Sequence, residues 1–168
     1  MQQNSDQQGL VIRRATRADV PAIVRLLADD TLGSQRERYG DPLPHAYYDA
    51  FDAIDHDPHN ELIVVEAAGD VIGTLQFTIL LSLTYQGRPR AQIEAVRIDR
   101  RYRSQGIGQL LIRWAIERAR QTNCHMIQLT TNAARADAHR FYERLGFEPS
   151  HVGMKLDLTS PNTLHEPR

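Results

Sequence analysis

Hydrophobic and polar residues recur along this chain with two different periods, one typical of strands and the other typical of helices. Alternating segments rich in β-branched residues predict strands. They are Leu10–Arg14, Glu61–Ala67, Val71–Leu81, Gln92–Ile98 and Met126–Thr131. Gly69 and Asp70 lie between the second and third of these strands and predict a hairpin. A further segment, Phe147–Leu158, can supply one or two closing strands.

Apolar residues at helical spacing predict four helices. Their segments are the one that follows Thr16, His45–Ile54, Gly108–Gln121 and Ala134–Leu145. Thr16 and Asp19 have the spacing of a capping box, with Asp in place of the usual Glu, and Gly146 suits the left-handed position that ends a helix. This mixed α+β order predicts a central, mostly antiparallel, twisted sheet of six to seven strands, flanked by about four helices.

Length and composition are those of one globular domain. The chain has 168 residues, of which 41% are hydrophobic and 24% are charged. We expect the domain to cover residues 10–158, between a disordered, glutamine-rich tail at 1–9 and a polar tail at 159–168. The N-terminal segment lacks the basic and apolar regions of a secretory signal.

Charge and cysteine content narrow the function further. The 20 basic and 21 acidic residues give a net charge of −1, which favours neither nucleic acid nor an anionic membrane surface as a partner. No segment approaches the roughly 20 apolar residues of a membrane span. The single cysteine, Cys124, excludes an internal disulfide and indicates a cytoplasmic location.

The strand Gln92–Ile98 leads into a glycine-containing turn, Arg103–Gly108, which opens a helix. Such a turn directs backbone N–H groups and a helix N-terminus at one point, and this makes an anion site. Gly106 and Gly108 lack a β-carbon, so the backbone can approach phosphate oxygens closely. Leu111 stands where a dinucleotide fingerprint needs Gly or Ala, and the Gly-Lys-Ser/Thr of a P-loop is absent.

Three arginines, Arg100, Arg101 and Arg103, add mobile positive charge beside this turn. Together with the turn they predict a site for a diphosphate-bearing cofactor. A plain loop with solvated arginines is the alternative interpretation.

Two motifs resemble those of the GCN5-related N-acetyltransferase (GNAT) family. Ile93–Gly108 is similar to the family's acetyl-CoA-binding motif. Asn132 and the segment Ala138–Phe147 are similar to the family's asparagine and its closing helix, with the sequence Phe-Tyr-x-x-Leu-Gly-Phe. The motifs occur in the order found in the family, and the resemblance covers Leu10–Leu158.

The resemblance implies an enzyme that transfers acetyl from acetyl-CoA to a primary amine by direct attack in a ternary complex. No Ser or Cys arrangement indicates a covalent intermediate, and no metal is implied. Small-molecule acceptors are favoured, because the chain has no extra recognition domain. The alternatives are an acyl-CoA-binding sensor or regulatory module without turnover, and a protein or peptide N-acetyltransferase. Homodimers are common among family members, and the sequence leaves the assembly open.

The resemblance also implies which residues bind acetyl-CoA. In the family the pantetheine arm lies between the fourth and fifth strands, and the pyrophosphate binds N–H groups of the turn. A β-bulge often occurs in the fourth strand, which here is near Ala95–Val96. The implied binding residues are Val96, Arg97, Ile98, Arg103, Ser104, Gln105, Gly106, Ile107, Gly108, Gln109, Asn132 and Tyr142.

Glu94 is the candidate general base that takes the proton of the amine, directly or through water. In regular alternation it shares a face with Val96 and Ile98, whose apolar surroundings would make its carboxylate a stronger base. The alternative is an ion pair of Glu94 with Arg90 or Arg97.

Tyr142 and Asn132 have two interpretations each. Tyr142 matches the family's tyrosine near the coenzyme sulfur and is the candidate acid that protonates the leaving thiolate, but it can also be a core aromatic beside Phe141. Asn132 can bind the pantetheine amides, and it can cap a helix that begins at Ala133.

The segment Thr31–Asn60 is acidic and aromatic. In the family the corresponding region often helps to form the acceptor site, which here would favour a cationic amine. The alternative is a solvated helix face. Asp55–His59 within it resembles a metal-ligand cluster, but Pro58 interrupts any helical frame, and a polar loop is the favoured interpretation.

Overall fold

The structure is a computed structural model that describes residues 9–29 and 31–158. The two predicted tails, except for Gly9, lie outside this part of the chain. The chain divides into two compact units between Leu129 and Thr130. Within the described ranges, no helix is both long enough and apolar enough to cross a membrane.

The first unit contains a sheet of five strands. These are β1 (Leu10–Arg14), β2 (Asn60–Ala67), β3 (Asp70–Leu80), β4 (Arg90–Ile98) and β5 (Ile127–Leu129). The strands lie in sequence order, antiparallel from β1 to β4 and parallel between β4 and β5. The prediction of a mixed α+β fold with one mostly antiparallel sheet is confirmed.

Six helices occur in the described residues, where about four were predicted. They are α1 (Val20–Ala28), α2 (Thr31–Arg36), α3 (Ala46–His56), α4 (Thr84–Gly87), α5 (Ile107–Gln121) and α6 (Ala136–Glu143). The four predicted helices correspond to α1, α3, α5 and α6. The two additional helices, α2 and α4, are too short to carry a periodic apolar signal.

The predicted count of six to seven strands is wrong. Phe147–Leu158 forms no strand in the described residues of the second unit. Val152, Met154, Leu156 and Leu158 keep the alternating pattern, but their side chains are between 59% and 93% exposed. Alternation specifies a strand only where one face is buried, so the pattern alone is insufficient here.

Helices pack on both faces of the sheet in the first unit. On one face, Phe77 of β3 meets Trp114 of α5 edge to face, with 6.1 Å between ring centroids. The buried carboxylate of Glu61 pairs with Arg118 of α5 at 2.7 Å on this face. On the other face, α1 and α3 pack against the sheet around a core formed by Val20, Ile23, Val24, Leu26, Phe51, Val64 and Val71.

The predicted capping box is confirmed at the start of the first helical segment. The Asp19 carboxylate accepts hydrogen bonds from the backbone N–H of Thr16 at 2.7 Å and from its hydroxyl at 2.9 Å. It also pairs with the Arg13 guanidinium of β1 at 2.7 Å. Arg13 lowers the pKa of Asp19 to about 2. The ionised carboxylate therefore ties β1 to the entry of α1.

Candidate functional site

A β-bulge interrupts β4 beside the candidate base. Gln76 of β3 pairs with Glu94, but Thr74 pairs with Arg97, so that β4 has one residue more than β3 between the two pairs. Ala95 in this bulge has a φ of 53°, in the left-handed region that residues other than glycine rarely adopt. The bulge predicted near Ala95–Val96 is confirmed. Such backbone strain costs on the order of 1 kcal/mol and is concentrated at functional sites.

The bulge changes which side chains share a face with Glu94. The Glu94 side chain lies on the same face as Gln76 and Gln92, whereas Ile98 lies on the α5 face, where its Cδ1 abuts Gly73. The predicted apolar face of Glu94, Val96 and Ile98 is therefore wrong, because regular alternation does not continue through a bulge.

The Glu94 side chain is exposed. No residue in the described part of the chain forms an ion pair or a hydrogen bond with its carboxylate. The predicted alternative, an ion pair with Arg90 or Arg97, is thus wrong. The carboxylate is accessible to a substrate.

The edge of β4 that follows Ile93 is not paired with β5. β5 pairs with β4 over Ala91–Ile93 and then ends at Leu129. The backbone of Glu94–Ile98 therefore presents its outer edge without a β5 partner. An open edge of this kind pairs with an extended chain of amides. This geometry fits the predicted role of Val96, Arg97 and Ile98 in holding a pantetheine arm.

Backbone N–H groups converge where β4 runs into α5. Ser104 and Gly106 have φ values of 62° and 81°, and Gly106 is the N-cap of the helix. The first N–H groups of α5, those of Ile107, Gly108 and Gln109, bind no acceptor within the described residues. A left-handed turn followed by free helix N–H groups binds phosphate oxygens. The turn therefore fits a pyrophosphate.

The arginines beside this turn are held by carboxylates. Asp29, at the end of α1, lies 3.5 Å from Arg100 and 3.4 Å from Arg103. Asp99, directly after β4, lies 2.8 Å from Arg101. Each arginine therefore has an acidic partner, and the mobility of the positive charge stays a prediction.

Asp99 is a structural centre of the turn that the sequence analysis did not single out. Its side chain is buried and accepts hydrogen bonds from the Arg101 backbone N–H at 3.0 Å and from the Arg25 guanidinium of α1 at 3.1 Å. Its own N–H donates to the carbonyl of Ile72 at 2.8 Å. The Arg101 guanidinium holds the pKa of the Asp99 carboxyl well below its usual range. An Asp between a strand and a turn is an N-cap signal that could have found it.

Tyr142 lies on α6 in the second unit, within an aromatic cluster. Its half-buried ring meets those of Phe141 and Phe147 edge to face, at 5.1 Å and 5.8 Å between centroids. Gly146 has a φ of 89°, which confirms the predicted left-handed position after the helix. The Tyr142 ring therefore packs against aromatic neighbours without being fully buried, and its role as an acid stays a prediction.

Asn132 caps a turn rather than a helix. Its side-chain oxygen accepts a hydrogen bond from the N–H of Ala134 at 2.9 Å. Its carbonyl accepts one from the N–H of Arg135 at 2.9 Å. The helix predicted to begin at Ala133 begins at Ala136, because this turn uses the intervening residues. Binding of the pantetheine amides by Asn132 stays a prediction.

Several acidic side chains around α3 are already engaged. Asp49 pairs with His45 at 2.9 Å, and Asp52 pairs with Arg17 at 3.2 Å. Asp57 accepts a hydrogen bond from the backbone N–H of His59, and this bond lowers the pKa of Asp57. These contacts favour the solvated-face interpretation. In residues 9–29 and 31–158, no three His, Cys, Asp or Glu side chains are grouped so as to hold a metal ion.

The sequence of this chain is similar to a family model and to proteins named as acetyltransferases. The model of the Acetyltransferase (GNAT) family matches residues 26–147. The aminoalkylphosphonate N-acetyltransferase of Salmonella typhimurium is 31% identical over 140 residues, which are 83% of this chain and 86% of that protein. The L-methionine sulfoximine/L-methionine sulfone acetyltransferase of Pseudomonas paraeruginosa is 30% identical over 158 residues, 88% of this chain and 90% of that protein.

A crystal structure from Bacillus halodurans is similar in both sequence and fold. It is 52% identical, with a TM-score of 0.87, and the match covers 89% of this chain and 99% of that one. That protein is described as a transcriptional regulator. The sequence relatives are thus described as acetyltransferases, and a solved structure of similar fold is described as a regulator.

The buried carboxylate of Asp99 generates a prediction about stability. We expect Asp99→Asn to lower the free energy of unfolding at pH 7 by about 1–3 kcal/mol, because a neutral amide loses the charge-assisted hydrogen bonds to Arg101 and Arg25. The folded-state pKa is depressed, so this stabilisation is present above the unfolded pKa of about 3.9 and is lost as the pH falls through the folded value. Denaturant unfolding at pH 7 and pH 2.5 measures it.

The matched control is Asp55→Asn, since Asp55 is exposed on α3. We expect the control to stay within about 0.5 kcal/mol of the wild type at both pH values. A loss for Asp99→Asn that is equally large at pH 7 and pH 2.5 would show that the charge of Asp99 is not what stabilises the turn.

Proposed function

Since the chain belongs to the Acetyltransferase (GNAT) family, we propose that it transfers the acetyl group of acetyl-CoA to the primary amine of a small-molecule acceptor. The transfer is direct and takes place in a ternary complex. One observation carries this proposal: a single strand, β4, carries the accessible carboxylate of Glu94, the bulge at Ala95 and the edge that β5 leaves open, and then runs into the free N–H groups at the start of α5.

The backbone groups at the end of β4 and in the turn would hold the acyl donor. The open edge at Val96, Arg97 and Ile98 suits the amides of a pantetheine arm, which pairs like an extra strand. The turn, from Arg103 to Gln109, suits the pyrophosphate, because helix N-terminal N–H groups attract anions. Acetyl-CoA supplies the activated acyl group, and the chain supplies its orientation.

Glu94 has the role of general base. The ammonium form of the acceptor must lose a proton before its nitrogen can attack the thioester carbon, and the Glu94 carboxylate takes that proton directly or through water. The carbon–nitrogen bond then forms and the carbon–sulfur bond breaks to release the CoA thiolate. The second proton that the nitrogen loses on becoming an amide passes to water and replaces the proton that the general acid gives to the thiolate. A backbone N–H re-aimed by the bulge at Ala95 stabilises the oxyanion of the tetrahedral intermediate.

Tyr142 has the role of general acid, and Asn132 binds the pantetheine amides. Protonation of the departing thiolate by the Tyr142 hydroxyl prevents its re-attack on the new amide. Support for both roles comes from the resemblance of the second motif to the family's closing helix.

The names of the relatives support a small-molecule acceptor. An aminoalkylphosphonate and the methionine derivatives are small amines, and the chain matches most of the length of both relatives. The cytoplasm is the proposed location, and a homodimer is the proposed assembly. The Bacillus protein is described as a transcriptional regulator. The competing outcome is therefore that the chain binds acetyl-CoA without transferring its acetyl group.

Release of free thiol from acetyl-CoA tests the reaction. We expect thiol release above the hydrolytic background with at least one small primary amine from a panel of amino acids, aminophosphonates, amino sugars and polyamines. Calorimetry on the same sample measures the affinity for acetyl-CoA. Binding of acetyl-CoA without turnover of any amine on the panel would contradict the proposed reaction and support a regulatory module. If acetyl-CoA does not bind, the assignment of the turn as a pyrophosphate site is contradicted.

Removal of the Glu94 carboxylate is expected to change the pH profile. Glu94→Gln should lower kcat/KM about 10²–10⁴-fold where the acceptor is protonated, and less at high pH, where deprotonated amine is abundant. The matched control is Glu117→Gln, because Glu117 is exposed on α5. Steady-state kinetics between pH 6 and pH 10 measure the effect. An unchanged profile for Glu94→Gln would exclude the base role.

Removal of the Tyr142 hydroxyl is expected to slow the chemical step and spare binding. Tyr142→Phe keeps the ring in its cluster with Phe141 and Phe147, so folding should be retained. We expect kcat to fall at least about tenfold, with the dissociation constant of acetyl-CoA changed less than about twofold. Tyr102→Phe is the control. A variant that unfolds, or that keeps its full kcat, would leave Tyr142 only its packing role.

A further inference from the structure

The sheet face that carries Glu94 also carries uncharged polar side chains on three neighbouring strands. Gln76 of β3 pairs in register with Glu94, and Gln128 of β5 pairs with Gln92. These three glutamines are half-buried. Strands normally carry β-branched and aromatic residues, so a row of amides departs from what sheet formation favours. We call this row, with Glu94 and Arg90, the polar face.

The amides of the polar face are ordered but incompletely used. Gln128 donates to the side-chain oxygen of Gln92 at 2.7 Å, and Gln76 donates to that of Asn60 at 3.2 Å. The amide oxygen of Gln76 and the amide nitrogen of Gln92 bind no described residue. Neither of these two atoms is fully buried. These atoms therefore reach solvent, while the other polar atom of each amide is held by a hydrogen bond.

Arg90 lies at the far end of the same face. It pairs in register with Leu80, two residues before Gln92 and four before Glu94, so its side chain points to the same side. It is half-buried, yet no carboxylate or carbonyl of the described residues contacts its guanidinium. The arginines that pack between other elements differ, because Arg13 and Arg118 each pair with a carboxylate at 2.7 Å.

Charge is thus distributed along the polar face in a definite order. A guanidinium without an acidic partner lies at one end, neutral amides follow, and then comes the Glu94 carboxylate without a basic partner. Past the bulge, Arg97 pairs in register with Thr74 and so lies on this face as well. A strand rises about 3.3 Å per residue, so the α-carbons of Arg90 and Glu94 are roughly 13 Å apart. Both side chains are long enough to reach a molecule of a few heavy atoms that lies over Gln92.

We propose that the polar face binds the acceptor, and that the acceptor is a primary amine that also carries an oxyanion. Arg90 pairs with the oxyanion, the amides of Gln76 and Gln92 bind neutral polar groups between the two ends, and the amine faces Glu94. This inference rests on the proposed acetyl transfer. The oxyanion is a carboxylate, a phosphonate or a phosphate, since a guanidinium forms bidentate hydrogen bonds with each of them.

A set of matched amines tests whether the protein prefers an acceptor that carries an oxyanion. The set has an amino group on a two-carbon chain that ends in a carboxylate (β-alanine), a phosphonate (2-aminoethylphosphonate), a phosphate (phosphoethanolamine), a hydroxyl (ethanolamine) or a second amine (1,2-diaminoethane). We expect at least one oxyanion-bearing amine to exceed ethanolamine at least about tenfold in kcat/KM. The first three members distinguish the sources of the oxyanion.

Substitution of Arg90 tests whether its guanidinium binds the oxyanion of the acceptor. We expect Arg90→Gln to lower kcat/KM for the preferred acid about 10- to 100-fold, mainly through KM, and to leave ethanolamine within about twofold. Arg90→Lys should restore part of the loss, because it retains the positive charge. Arg88→Gln is the control, since Arg88 is an exposed arginine two residues earlier. Calorimetry of the acid with each variant, in the presence of CoA, gives a readout without turnover.

Three outcomes would overturn the inference. They are equal turnover of ethanolamine and all three acids, an equal loss for every amine in Arg90→Gln, and an affinity for the acid that Arg90→Gln leaves unchanged. In the first case the proposed acetyl transfer still stands, because ethanolamine is turned over. If no amine releases thiol, the proposed function fails, and the calorimetric comparison still decides whether Arg90 binds the oxyanion.

Discussion

The left-handed backbone at Ala95 is the constraint from which the geometry of this site follows. A regular strand would place Glu94 and Ile98 on one face, and one extra residue in β4 separates them. Ile98 can then pack beside Gly73 under α5, while Glu94 stands among polar side chains on the other face. Ala at this φ is disfavoured by about 1–2 kcal/mol relative to a right-handed conformation. The ladder of hydrogen bonds between β4 and its neighbouring strands must therefore hold Ala95 in place.

The ladder does so on both sides of the bulge. β3 pairs with β4 before and after Ala95, and β5 pairs only with the part that precedes it. The strained residue therefore lies where β4 changes from an internal strand to an open edge. Beyond that edge, Asp99 fixes the start of the turn through Arg101 and Arg25, and Asp29 restrains Arg100 and Arg103. Acidic residues thus set the positions of the positive charges, and backbone N–H groups are left free for an anion.

Local patterns predicted those parts of the molecule that local forces determine. Strand and helix segments, the capping box at Thr16 and the left-handed Gly146 all follow from periodicity or from the conformation of one residue. The turn before α5 was predicted for the same reason, because its glycine and the helix that follows are adjacent in sequence.

Failures occurred where distant residues decide the outcome. The face of Glu94 was predicted from regular alternation, although the family resemblance already implied a bulge near Ala95–Val96, and the pairing with β3 shows that this bulge separates Glu94 from Ile98. The acidic partners of the arginines were not predicted either, because the partner of Arg103 lies 74 residues away, at Asp29. Leu156 and its alternating neighbours predicted a strand, and no pattern within that segment could tell whether its apolar face is buried.

The central claim is that one continuous stretch of backbone, from the bulge to the first turn of α5, binds the acyl donor. Amide hydrogen exchange with and without acetyl-CoA tests it most directly. The account predicts slower exchange at Val96–Ile98 and at Ile107–Gln109 when acetyl-CoA is added, with little change in β1 and β2. Binding of acetyl-CoA that leaves both stretches unprotected, or that protects only residues outside them, would contradict it.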